Sequence, residues 1–202
     1  MRFDRLIIAP VLSAALFGGA ALAAERGESL VVVELYTSQG CEGCLEASAY
    51  ASELAERDGV LLLSFGVDYW DYLGWTDTFA KPEFVARQRA YTEPLDNVHP
   101  YTPQMVVDGH VNSAGFNREF VDVVIDYCFT HLTESPPVTL AREGEEITVT
   151  IGDGERQEDQ AAVWLVAYEP GEQTVTIAEG ENADAQMPHY NVVHAIDYIG
   201  VW

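Results

Sequence analysis

Cys41 and Cys44 are the residues of this chain best suited to do chemistry. The spacing Cys41-Glu42-Gly43-Cys44 lets two thiols close a disulfide across one helical turn or act as a nucleophile and resolving pair. The same spacing serves inert bridges and metal sites, so position must decide between them. A β-branched run, 31–35, precedes the pair, and a helical pattern of Ala47, Ala51, Leu54 and Ala55 follows it. That places Cys41 at the start of a helix. Free N–H groups and the positive end of the helix dipole favour a thiolate there, while Glu42 between the cysteines opposes it. Cys41 is therefore expected to be the accessible attacking thiol and Cys44, one turn further in, the resolving one.

Three further features are expected to converge on the pair. Pro103 follows Thr102 and precedes the apolar run 104–107. A cis proline is expected there, with the backbone of Thr102 free to pair with an extended substrate. Glu34 is an acid inside an apolar strand, seven residues before Cys41. Buried, it would have a raised pKa and move protons for Cys44; on a wet edge it would not. Asp68-Tyr69-Trp70-Asp71-Tyr72-Leu73-Gly74-Trp75 follows the second strand of a β-α-β unit. Parallel strands bring their C-terminal ends to one sheet edge, so this segment should lie beside the cysteines. Trp70, Tyr72 and Trp75 are the candidate substrate-binding residues, against the reading that most of the aromatics only anchor the loop.

Other candidates are weaker. Cys128 is expected on the apolar face of a helix, with Phe120, Val124 and Tyr127, as a buried inert thiol. His99, His110, His131, His189 and His194 lack ligand-like spacing. His99 and Met105 flank Pro103, which keeps a copper-binding or delivery module as the alternative reading. A non-catalytic binding protein using the aromatic loop is another. The thiol–disulfide reading calls for no cofactor. Its partners are thiols and disulfides of proteins or small molecules.

The elements that must position these residues follow from periodicity. Strands are expected at 30–36, 60–67, 104–108 and 110–114, and helices at 41–57, 82–91 and 117–132. Asp108-Gly109 reads as a two-residue hairpin turn. The order β-α-β-α-β-β-α, with a right-handed first crossover, gives an α/β thioredoxin-like fold over residues 28–133. Residues 134–137 are a linker. Residues 138–202 read as a small β-rich unit, either a half-sandwich, open to further strands, or an extension lying on the first domain, with strands at 138–142, 147–151, 161–168, 174–177 and 190–199.

Composition bounds the setting. The chain has 202 residues, three cysteines and a formal net charge of −23. Scattered acids repel phosphates, so a nucleic-acid partner is disfavoured. Arg2 and Arg5 precede an uncharged stretch, 6–22, and Ala21-Leu22-Ala23 has the small-x-small pattern of a cleavage site. Residues 1–24 therefore read as a secretory signal peptide rather than an anchor, since roughly 17 residues containing Pro10, Gly18 and Gly19 are marginal for a bilayer. A periplasmic or secreted location follows, with no stable membrane insertion after cleavage.

Three blocks carry a resemblance: 33–41 (Val-Glu-Leu-Tyr-Thr-Ser-Gln-Gly-Cys), 67–75 (Val-Asp-Tyr-Trp-Asp-Tyr-Leu-Gly-Trp) and 101–109 (Tyr-Thr-Pro-Gln-Met-Val-Val-Asp-Gly). With Glu181-Asn182-Ala183 and Tyr190-Asn191-Val192-Val193, they resemble the signature blocks of the DUF1223 family. The resemblance implies a secreted, thioredoxin-like protein and no defined activity. Where that family usually has proline after the second cysteine, this chain has Leu45.

Overall fold

The computed structural model describes residues 7–8, 30–131, 136–154 and 160–202. Most of the expected signal peptide, its cleavage site, and Glu134 and Ser135 of the expected linker lie outside these residues.

The sheet is built outward from β2 (Val31–Thr37), every residue of which is buried. Alternation sends Val31, Val33 and Leu35 to one face and Val32, Glu34 and Tyr36 to the other. On the first face lie α1 (Cys44–Ala55) and α3 (Arg118–His131), which pack Ala47, Tyr50, Ala51, Leu54, Val121 and Ile125 against β2. On the second face α2 (Pro82–Ala90) packs Phe84 and Val85 beside Leu63, Phe65 and Val106. Pro82 stands at the first turn of α2, where a missing N–H costs nothing.

β3 (Val60–Gly66) runs parallel to β2, and β4 (Gln104–Val107) runs antiparallel on its other side, followed by β5 (Val111–Ala114). The hairpin loop occupies 108–110. Asp108 and Gly109 take φ of 50° and 73° there, left-handed values suited to a primed hairpin turn.

The last strands differ from expectation. Instead of three short strands after residue 160 there are two long ones, β8 (Ala162–Thr176) and β9 (Gln186–Val201), paired antiparallel. Glu169-Pro170-Gly171 does not end a strand. It forms a bulge between the pairs Glu169↔Val192 and Glu172↔Tyr190, and Gly171 N–H donates to Asn191 Oδ1 at 2.9 Å. A bulge tolerates the proline because its residue needs no ladder hydrogen bond. β9 joins the sheet beside β3, with Ser64 opposite Val192. The order becomes β1-β8-β9-β3-β2-β4-β5, with β1 the pair Ile7–Ile8 on the edge of β8. β6 (Val138–Glu143) and β7 (Glu146–Ile151) form a separate hairpin.

α3 also corrects the expected face. Its buried residues are Val121, Val124 and Ile125, with Cys128 half-buried behind them, while Phe120 and Tyr127 are exposed. At about 100° per residue, Val121, Val124, Ile125 and Cys128 share an inward arc of roughly 100°, and Phe120 and Tyr127 lie beyond its Val124 edge.

Candidate functional site

The end of β2 delivers the chain to the cysteines through the turn Ser38-Gln39-Gly40. Cys41 N–H donates to Ser38 O at 3.2 Å, and Cys44 N–H to Cys41 O at 3.1 Å. Gly40 lies so close to the next loop that a Cβ there would sit 3.3 Å from Trp70 O and 3.4 Å from Trp70 Cβ. Cys41 and Cys44 form a disulfide, with their Cα atoms 5.3 Å apart.

The helix begins at Cys44, with Gly43 as its cap, so Cys41 lies ahead of the helix rather than in its first turn. The turn closed by the Cys44 N–H to Cys41 O bond keeps residues 41–43 out of it. The expectation of an accessible Cys41 also needs correction. Cys41 is 5% exposed and Cys44 0%. Both belong to a packed cluster with Ile177 and Met187, flanked by Leu45, Trp70 and Trp75.

Pro103 stands beside this turn. The Thr102–Pro103 peptide bond is cis. A Cβ on Gly43 would lie 3.6 Å from Pro103 Cδ, and one on Gly115 would meet both Pro103 Cβ and Ala47 Cβ at 3.0 Å. The proline, α1 and Gly115 therefore touch closely. Thr102 is fixed through its side chain, whose Oγ1 accepts from Trp70 Nε1 at 2.7 Å. Behind the loop, Gln88 Nε2 donates to Tyr101 O at 2.7 Å and to Gln104 Oε1 at 2.9 Å.

The aromatic segment reaches the site and divides by role. Trp70 and Trp75 flank the cysteine cluster, with Trp75 Nε1 donating to Gln39 Oε1 at 2.8 Å. Tyr72 is 76% exposed and stacks on Trp70 with ring centroids 6.3 Å apart. The indoles thus anchor the loop, and Tyr72 is the ring left to solvent. Asp77 completes the anchor by accepting from Gln39 N–H at 2.7 Å and Phe79 N–H at 2.8 Å. Burial raises its pKa against the lowering effect of these backbone donors.

Glu34 is buried but does not serve the cysteines. It projects to the α2 face, away from α1, and accepts four hydrogen bonds. Arg87 Nε and Nη2 donate at 2.8 and 2.7 Å, and the Tyr36 and Tyr91 hydroxyls at 2.7 Å each. Burial, followed by the Glu34 charge, raises both phenol pKa values well above the ordinary value. Burial works against the Arg87 cation, and the facing carboxylate outweighs it and raises its pKa. Both carboxylate oxygens are thus engaged on the α2 face, opposite the face that carries α1.

The copper candidates do not assemble either. His99 is exposed, and Met105 packs in the α1–α3 core cluster. Among the described residues, no group of three or more His, Cys, Asp or Glu side chains is placed to hold a metal ion.

Sequence reasoning missed the C-terminal contribution. Asn182 Nδ2 donates to Gln39 O at 2.8 Å and to Cys41 O at 2.9 Å. Ile177 and Met187, from the two ends of the same turn, pack on the disulfide cluster. His189, two residues after Met187, is 3% exposed, with its ring edge-on to Phe79. Burial lowers its pKa to about 4. The one sequence signal was that Asn182 falls in a block resembling the family.

Fold and site together define a mixed α/β protein whose central strand leads into a Cys-x-x-Cys disulfide at the start of a helix. The family model described as a protein of unknown function, DUF1223, matches residues 32–202, and the chain belongs to that family. It is similar to an Agrobacterium tumefaciens protein of known crystal structure, at 32% identity and a TM-score of 0.70, over 87% of this chain and 75% of that one. No curated protein matches it.

Proposed function

We propose that this chain is an exported thioredoxin-like thiol–disulfide oxidoreductase acting through Cys41 and Cys44. The observation that carries the reading is the Cys41–Cys44 disulfide at the head of α1, with Pro103 against the same turn. The order of elements between residues 31 and 131, with α1 and α3 on one face and α2 on the other, supports the thioredoxin-like assignment.

In the reduced protein the Cys41 thiolate attacks a substrate disulfide. A Cys41–substrate disulfide forms, and one substrate thiolate leaves. Cys44, as thiolate, then attacks Cys41 Sγ, re-forms the internal disulfide and releases the second substrate thiolate. Two electrons pass from the pair to the substrate, and the reverse sequence oxidises a dithiol. The N-terminus of α1 favours a nearby thiolate by about 0.3–2 kcal/mol, at most about 1.5 pKa units. Cys41 is the attacking sulfur because it retains the small exposure that Cys44 lacks. Thr102, Trp70, Tyr72 and Trp75 supply the substrate-facing surface, with Tyr72 its most exposed ring. The N-terminal segment directs the protein to the periplasm or beyond, an oxidising setting suited to a disulfide. Thiols or disulfides of proteins or small molecules are the partners.

The test is the equilibrium reduction potential of the pair in thiol–disulfide buffers. A value near about −120 mV assigns disulfide donation, and one near about −270 mV assigns reduction. A value below about −300 mV marks a structural bridge and overturns the reading.

A further inference from the structure

Beside the Trp70 and Trp75 indoles, the cysteine pair is covered by one short segment of the chain, residues 177–187, made of the turn between β8 and β9 and the first two residues of β9. Its burial pattern is selective. Ile177 and Met187 are 0% exposed and Asn182 is 5% exposed. Ala178, Glu179, Glu181, Ala183, Asp184 and Gln186 are exposed. Three side chains therefore point inward, two as apolar contacts on the disulfide cluster and one as a hydrogen-bond donor.

The segment is tied to itself. Ile177 N–H donates to Ala185 O at 2.9 Å, Asp184 N–H to Ile177 O at 2.8 Å, and Ala185 N–H to Asn182 O at 3.0 Å. Across the gap to the cysteine turn, Asn182 uses both protons of one amide nitrogen, on Gln39 O and on Cys41 O. On its outer side Gly180 approaches the aromatic loop, with its Cβ position 3.3 Å from Leu73 O and Trp75 Cβ.

We infer that residues 177–187 form a latched cap over the redox pair, that Asn182 is its latch, and that opening of this cap sets how fast thiols reach the disulfide. Attack on a disulfide needs a thiolate in line with the S–S bond. With the sulfurs packed under Ile177, Met187 and two indoles, that approach is closed until the cap swings away. Asn182 is thus a positioning residue, and the inference rests on the oxidoreductase reading above. A buried side-chain amide holding two carbonyls contributes enough that its loss raises the open population about tenfold to thirtyfold.

The experiment measures the rate at which dithiothreitol, and separately a neutral phosphine, reduces the disulfide in wild type, Asn182→Ala and Asn182→Leu. Leu keeps the size of the side chain but removes both donors without adding a charge. Both variants should be reduced about ten to thirty times faster than wild type, by either reagent, in buffer where denaturant curves show them folded. Unchanged rates overturn the cap. So does an acceleration that only follows a matching loss of global stability. Should neither variant fold, amide exchange on the wild-type protein decides. The Asn182 side-chain amide protons, which bridge the cap to Gln39 O and Cys41 O, should then exchange faster than the backbone amides of Leu62 and Leu63, and no slower than reduction proceeds; equal protection overturns the inference. Potential tests the redox reading and rate tests the cap, so either can fail alone.

Discussion

The side-chain amide of Asn182 donates to the backbone carbonyl of Cys41 at 2.9 Å, across 141 positions of sequence. This bond joins the C-terminal hairpin to the Cys-x-x-Cys turn. A fold that stopped at α3 would keep the Cys-x-x-Cys turn and Pro103 but lack Ile177, Asn182 and Met187 over it. The pair is a shielded disulfide, and its reactivity depends on that cover as well as on its own helix.

The two cysteines should differ in role. Cys44→Ser should leave a Cys41 that attacks disulfides and accumulates as mixed disulfide, because the resolving thiol is gone. Cys41→Ser should abolish reaction with disulfides. Cys128→Ser should change neither, since that residue sits half-buried on α3 against the α1–α3 core. Alkylation rates of the reduced single variants across pH are the measurement, and a fast-reacting Cys44 or Cys128 would refute the assignment.

Glu34 and Arg87 should matter for stability and not for redox chemistry. Glu34→Gln leaves the Arg87 guanidinium, 7% exposed, without its counter-ion. Breaking a buried pair from one side costs about 3–5 kcal/mol. Replacing both residues by apolar ones of similar volume should cost less than either single change. Urea unfolding tests the stability term. The reduction potential of Glu34→Gln should stay within about 30 mV of wild type.

His189 should make stability fall in mild acid. Its folded-state pKa is lowered to about 4 by burial, against an ordinary value of 6.5. Between those values the unfolded chain binds the proton and the folded one does not, so the native state loses ground as pH drops. The stabilisation is complete above about pH 6.5 and declines as pH falls toward 4. At about 1.4 kcal/mol per pH unit, this lowering predicts a loss of about 2 kcal/mol between pH 7 and 4.5. His189→Leu should lose less stability than wild type over that interval, by about this amount. Denaturant unfolding of both proteins at the two pH values measures it.

Export should leave its mark on the mature N-terminus. The protein should begin near Ala24 or Glu25 and fractionate with periplasmic or extracellular material. N-terminal sequencing of the purified native protein checks this. An intact leader on a cytoplasmic protein would contradict it.

Much of the fold was legible because it is encoded locally. The run Val31-Val32-Val33 fixes a doubly buried strand, Pro82 fixes the start of α2, and Asp108-Gly109 fixes a hairpin. The cysteines and the aromatic loop share one edge because parallel β2 and β3 carry their C-terminal ends there, and Pro103 joins them because antiparallel β4 begins at that edge. The face of α3 was misread because Phe120 and Tyr127 are apolar in type yet exposed. Hydrophobicity alone does not say which side of a helix meets a sheet.

The sequence by itself determined the Cys-x-x-Cys motif, its place between strand and helix, and the family-like blocks around it. Each depends on residues close in the chain, where spacing fixes geometry. Only the tertiary structure decided what Glu34 does and what covers the cysteines. A strand inverts its side-chain direction at every residue. One step of alternation thus turns Glu34 toward Arg87 and away from α1, and no local pattern names that partner. The cap is settled by where a distant hairpin lands once β9 pairs beside β3, a long-range outcome in which Asn182 meets Cys41 only because the sheet is already formed.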